Sequence, residues 1–119
     1  MLNFLSMKRK PNQMDLVKLM RLFEKAKESL SESTSKHTKE VCAFTKYITS
    51  SPWGLYSYSP GHSSTILENI EEASLDEVRW VLTCYARAER FCDGAWMTSL
   101  RAGAVDPAIE RLVVIYSSP

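Results

Sequence analysis

The densest concentration of reactive side chains is Arg87-Ala88-Glu89-Arg90-Phe91-Cys92-Asp93-Gly94, where four charged residues fall within seven positions. On a helix, Arg87 and Arg90 are i,i+3 neighbours, and Glu89 and Asp93 are i,i+4 neighbours. Two neighbouring guanidinium forks could hold a phosphate or another small anion, because each offers parallel N–H donors in a fixed plane. The same four residues could instead form an ionic clasp. In that case the arginines bind carboxylates, or exposed carbonyls of neighbouring helices, and lock the turn at Gly94. The acids interleave with the two arginines, and Glu77 and Glu110 are further potential partners. The clasp is therefore the favoured reading, and a ligand-binding or enzymatic site at Arg87 and Arg90 is the alternative.

Other reactive groups are sparse. Cys42, Cys84 and Cys92 are odd in number and none pairs at motif spacing. A disulfide framework fits this poorly, and a reducing, cytoplasmic setting fits it well. A zinc site needs about four nitrogen or sulfur ligands. His37, His62 and three scattered cysteines form no such cluster, so neither metal nor cofactor is expected. His62 with Cys84 or Cys92 could in principle make a nucleophile, but both thiols sit in patterns that predict burial, where thiols are inert. There is no phosphate-binding glycine loop, no GxSxG and no HExxH. The expectation is a protein without catalytic residues.

Three stretches could meet a macromolecular partner. Trp53, Leu55, Tyr56 and Tyr58 form an uncharged aromatic run between Pro52 and Pro60. Tyr and Trp are enriched where proteins bind, yet such rings also cap cores. Lys8, Arg9, Lys10, Lys18, Arg21 and Lys25 give the N-terminal part a basic character that could bind nucleic acid non-specifically. Residues 1–40 hold nine basic and five acidic side chains, against six and nine in residues 41–119. No helix there carries the Asn, Gln and Arg that read base edges. Finally, Glu68, Glu71, Glu72, Asp76 and Glu77 lie between Pro60 and Val78 with no basic residue among them. They make either a solvated surface or an acidic face for a basic partner. No apolar run approaches the roughly 20 residues that span a bilayer, and Met1 to Leu5 precedes its basic cluster, the reverse of a signal peptide. No membrane association is expected.

The elements that must position these residues are helices. The pattern predicts an all-α, single compact bundle of five to six helices over residues 12–119, behind a flexible tail at 1–11. Asn12 is a candidate N-cap for a helix with Leu16, Val17, Leu19, Met20, Phe23, Ala26 and Leu30 on one face. A second helix is expected over about 36–49, with Val41, Cys42, Phe44, Thr45 and Ile48 inward. Residues 52–62 read as an aromatic Pro/Gly loop with room for a short β hairpin. Ser63 or Ser64 then caps a short helix bearing Ile66, Leu67 and Ile70. Ser74-Leu75-Asp76-Glu77 is a capping box opening a central helix that reaches Cys92. A short helix buries Trp96, Met97 and Leu100 and closes at Gly103. Asp106-Pro107 opens the last, with Ile109, Leu112, Val113 and Tyr116 inward.

The run Val81 to Gly94, with Gly103 and Arg111-Leu112 downstream, resembles a bacterial domain family of unknown function. Its signature is Arg-x-(Glu or Asp)-Arg-Phe-x-x-Gly, and the resemblance covers about residues 76–114. It implies a helical C-terminal unit and carries no activity. The leading expectation is a non-enzymatic adaptor or inhibitor that binds another protein, of a kind common in bacteria and phages, including anti-defence factors. A homodimer through the first helix or the aromatic stretch is also open.

Overall fold

The computed structural model describes residues 10–30, 38–54, 60–87 and 95–117. These form six α-helices and one 3-10 turn, with no strand among the described residues. The order is α1 (Gln13–Leu30), α2 (Lys39–Ile48), α3 (Pro60–Leu67), the 3-10 turn Ile70–Glu72, α4 (Leu75–Arg87), α5 (Ala95–Ala102) and α6 (Asp106–Ser117).

Helix starts follow side-chain capping. The Asp15 amide donates to Asn12 Oδ1 at 2.9 Å, and the Asn12 amide to Asp15 Oδ2 at 2.8 Å. Two otherwise orphaned donors are thereby satisfied reciprocally. The box at α4 is made the same way: Ser74 N–H to Glu77 Oε1 at 2.9 Å, and Glu77 N–H to Ser74 Oγ at 3.2 Å. Thr38 caps α2 through Oγ1, which accepts from Val41 N–H at 3.0 Å. That hydroxyl also lies 2.7 Å from Ser29 Oγ near the end of α1, so one contact fixes the start of α2 against α1. The second helix therefore begins at Lys39, three residues later than its periodicity suggests.

The apolar stripes meet in one core. Leu16, Leu19, Phe23, Ala26 and Leu30 of α1 are buried, as are Val41, Phe44 and Ile48 of α2. Val17 and Cys42 depart from the expected stripes. Val17 is 46% exposed and Cys42 is also exposed. Each stands about 100° around its helix from a buried neighbour, enough to turn it outward. The α1–α2 pair packs on α4, α5 and α6. Trp96 is the hinge pin of that contact. Its ring stacks 6.0 Å from Phe44, and Nε1 donates to Thr45 Oγ1 at 2.6 Å. The Thr45 hydroxyl in turn donates to the Val41 carbonyl at 2.7 Å.

α1 and α6 run antiparallel. Lys27 near the end of α1 holds the Asp106 carboxylate at 2.9 Å, and at the other end the Tyr116 hydroxyl donates to the Pro11 carbonyl at 2.5 Å. Pro11 is buried and Lys10 meets Asp76 at 3.4 Å, so the chain is held from residue 10 onward. Residues 1–9 lie outside the described part.

Several expectations for the middle of the chain need correction. Helix α3 begins at Pro60, not at Ser63 or Ser64, because a proline at the first helical position has its φ preset and no amide to satisfy. The expected loop over 52–62 is accordingly cut short: 51–53 form a turn and 60–62 are already helical. No hairpin is present among the described residues of that stretch, and Leu55 to Ser59 lie outside them. Ile70 falls beyond α3, in the 3-10 turn.

Candidate functional site

The residues singled out for chemistry divide three ways. Arg87 is half-buried at the end of the described part of α4, while Glu89, Arg90 and Asp93 lie outside the described residues. Trp53 is 1% exposed and belongs to the core, so its ring is an anchor and not a displayed contact. Leu55, Tyr56 and Tyr58 lie outside the described residues, as do Lys8 and Arg9. The remaining basic residues do not converge. Lys10 is committed to Asp76, Lys18 sits over the Tyr47 ring at 5.0 Å, and Arg21 and Lys25 are exposed along α1.

Sequence reasoning missed Arg79, which the fold buries to 4% exposure. Its Nε donates to the Trp53 carbonyl at 3.1 Å, and Nη1 donates to Asp76 Oδ1 at 3.0 Å. Arg111 does a parallel job, with Nε donating to the Ala73 carbonyl at 2.8 Å. These two arginines tie irregular backbone to helices, the type of clasp expected of Arg87. The available signal was the position of Arg79 between Val78 and Val81, inside the apolar arc of α4. Buried arginines need their donors occupied, because an unpaired buried charge is strongly unfavourable. Beside this cluster, burial above all, with help from the Asp15 charge and against the opposing Arg79 charge, raises the Tyr116 hydroxyl above its ordinary pKa. It stays a protonated donor to Pro11. Trp53 Nε1 and Thr83 Oγ1 are buried without a hydrogen-bond partner among the described residues.

Among the described residues, two shallow depressions flank the 3-10 turn. On one side of the 3-10 turn, Thr65, Ile66, Asn69, Glu72, Ala73 and Glu77 line a shallow depression of about 320 Å³. On the other, Ile70, Glu71, Pro107, Glu110, Arg111 and Val114 line one of about 460 Å³. The second is lined by apolar Ile70, Pro107 and Val114, the last 52% exposed, together with the carboxylates Glu71 and Glu110. Met14, Val17 and Val113 are the other large exposed apolar side chains among the described residues, 73%, 46% and 37% exposed. All of these valines and Met14 come from α1 and α6. The inward position expected for Val113 is thus corrected, since α6 turns Ala108, Ile109 and Leu112 to the core instead. Among the described residues no group of three or more His, Cys, Asp or Glu could hold a metal ion, and no helix is long and apolar enough to cross a membrane.

Comparison with known proteins gives one family. No curated protein and no solved structure matches the chain. The model of a family of unknown function, DUF6508, matches residues 53–118. The match opens at Trp53, the residue whose carbonyl Arg79 holds, and takes in the Arg111 clasp and the groove beside Val114. It covers more than half of the sequence and leaves out α1 and α2, so the chain belongs to DUF6508, a family whose function is unknown.

Proposed function

We propose that this is a non-enzymatic protein of bacterial or phage origin that acts as an adaptor or inhibitor by binding another protein. The observation that carries the reading is the groove between the 3-10 turn and α6. Ile70, Pro107 and Val114 line it beside Glu71 and Glu110, with Pro107 and Val114 exposed to solvent. Exposed apolar residues set among polar ones are the anatomy of protein interfaces. Arg79, Arg111, Lys27 and Trp96 are each bonded to a structural partner, which supports a scaffold role for these four. Leu55, Tyr56 and Tyr58 remain in the proposal on their residue types, as contacts following the anchored Trp53. The Arg87-to-Gly94 run, read as the family signature, serves in it as the joint between α4 and α5.

Quantitative pull-down from a bacterial lysate tests the groove. The bait is the wild-type chain, Val114→Glu, or Thr98→Glu, an exposed position on α5 away from the groove. The expected result is a partner captured by wild type and Thr98→Glu and lost with Val114→Glu. Identical captures by all three remove the groove from the reading.

A further inference from the structure

We infer that the groove beside Val114 also receives a second copy of this chain, docked head to tail by the outer face of α1. The inference rests on the reading of that groove as a protein-contact surface and names its occupant.

Both halves of such a contact are present in one molecule. Residues 1–52 hold ten basic and five acidic side chains, whereas residues 53–119 hold five and nine. The side of α1 turned from the core carries Met14 at 73% and Val17 at 46% exposure, followed by exposed Lys18, Arg21 and Lys25. Glu24 and Glu28 are exposed on the same helix, so its net charge is positive but not uniformly so. The groove presents the complement: apolar Ile70, Pro107 and Val114 lining it together with exposed Glu71 and Glu110. Its cation, Arg111, is half-buried and directs Nε to the Ala73 carbonyl. Apolar residues thus meet apolar ones, and basic residues meet acidic ones.

The same charges decide the geometry. Pairing groove with groove opposes carboxylates with carboxylates, and pairing α1 with α1 opposes net-positive faces. Like-charge juxtaposition is a strong negative selector at interfaces. The favoured contact joins two different patches, which makes it heterologous, so it propagates into rings or open chains instead of stopping at a two-fold dimer. A shallow groove and an exposed helix face belong to the weak, small-interface class. Association should therefore be concentration-dependent and strongly salt-dependent, because charge screening shortens from about 10 Å at about 0.1 M salt to about 3 Å at about 1 M.

Sedimentation equilibrium on the full chain tests this, with three charge-reversed variants at exposed positions. One carries Arg21→Glu with Lys25→Glu, one carries Glu71→Lys with Glu110→Lys, and one carries all four. Far-UV circular dichroism checks that each remains helical. The wild type is expected to rise with concentration to the mass of two chains or more at low salt, and to return to one chain at high salt. Each two-site variant alone should stay at one chain, since its two surfaces now share a sign. Mixing the two, or combining all four changes in one chain, should restore association. A wild type that holds the mass of one chain up to about 1 mM at low salt overturns the inference. So does association that survives either two-site variant. Either failure leaves the pull-down with Val114→Glu as an independent test of the groove itself.

Discussion

Replacing Arg79 with methionine keeps most of the side-chain volume and removes both of its hydrogen bonds. The bond to the Trp53 carbonyl comes from a charged donor in a nearly closed site, and such bonds contribute about 1.5–3 kcal/mol. Its loss also strands a carbonyl belonging to a residue only 1% exposed, a cost in the same range that overlaps the first and does not add fully. The ion pair is a smaller matter. The Asp76 side chain is 58% exposed, so its share is about 0–1 kcal/mol. Against these stands the relief of no longer burying a guanidinium, which in some proteins makes an apolar replacement neutral or better. Here the Asp76 carboxylate pairs with the guanidinium, so that relief is partial, and the hydrogen-bond losses win. The expected net loss is about 2–3 kcal/mol, a lowering of the urea midpoint by about 1–2 M. The fluorescence of Trp53, Trp80 and Trp96 reports the transition. Arg79→Lys lacks the Nε donor and should recover little, while Asp76→Asn should cost less than about 1 kcal/mol. A midpoint for Arg79→Met equal to or above wild type would refute the reasoning, since the buried arginine would then be an electrostatic burden offset by its bonds.

Two further substitutions probe the clasp's surroundings. A Cβ at Gly54 would run into the Thr49 carbonyl at the end of α2, and because the obstacle is backbone it cannot rotate away. Gly54→Ala should cost about 1–3 kcal/mol and lower Tm by about 4–12 °C, measured by calorimetry. Tyr116→Phe should lose about 1 kcal/mol near neutral pH by breaking the bond to Pro11. Since burial raises the folded-state pKa of Tyr116 above 10.0, the protonated form is favoured by folding. That stabilisation is whole below about pH 10 and drains away as pH climbs through the folded-state value. The difference between wild type and Tyr116→Phe should therefore shrink above pH 10 in denaturation curves taken at stepped pH. Tyr85, also raised by burial, contributes equally to both proteins and cancels.

Much of the helical order was legible because it is written in short-range chemistry. Asn12 with Asp15, and Ser74 with Glu77, make the reciprocal caps that their spacing announces. Gly103 takes φ 78°, which ends α5 where the sequence suggests. What failed is what periodicity cannot encode. Val17 and Val113 have the right hydrophobicity for a core stripe, but which side of a helix is covered depends on neighbours far along the chain. Arg79 lies in the apolar arc of α4, but the carbonyl that satisfies it belongs to Trp53, 26 positions away, which no local pattern shows. The aromatic stretch was readable only in part: Trp53 joins the core, which its size favours, while the groove beside Val114 arises from the approach of α6 to the 3-10 turn and leaves no local signature.

The boundary of the family match has a physical consequence of its own. Residue 53 begins the shared region, yet the groups that region leaves open are closed from upstream. Trp96 relies on Thr45, Asp106 on Lys27 and Tyr116 on Pro11, while Trp96 also rests against Phe44. A fragment cut at residue 53 would bare an indole and leave three polar groups to water, so the first two helices act as a cover over the matched region. The surface that Trp96, Asp106 and Tyr116 present is thus completed by chain that lies before the matched region.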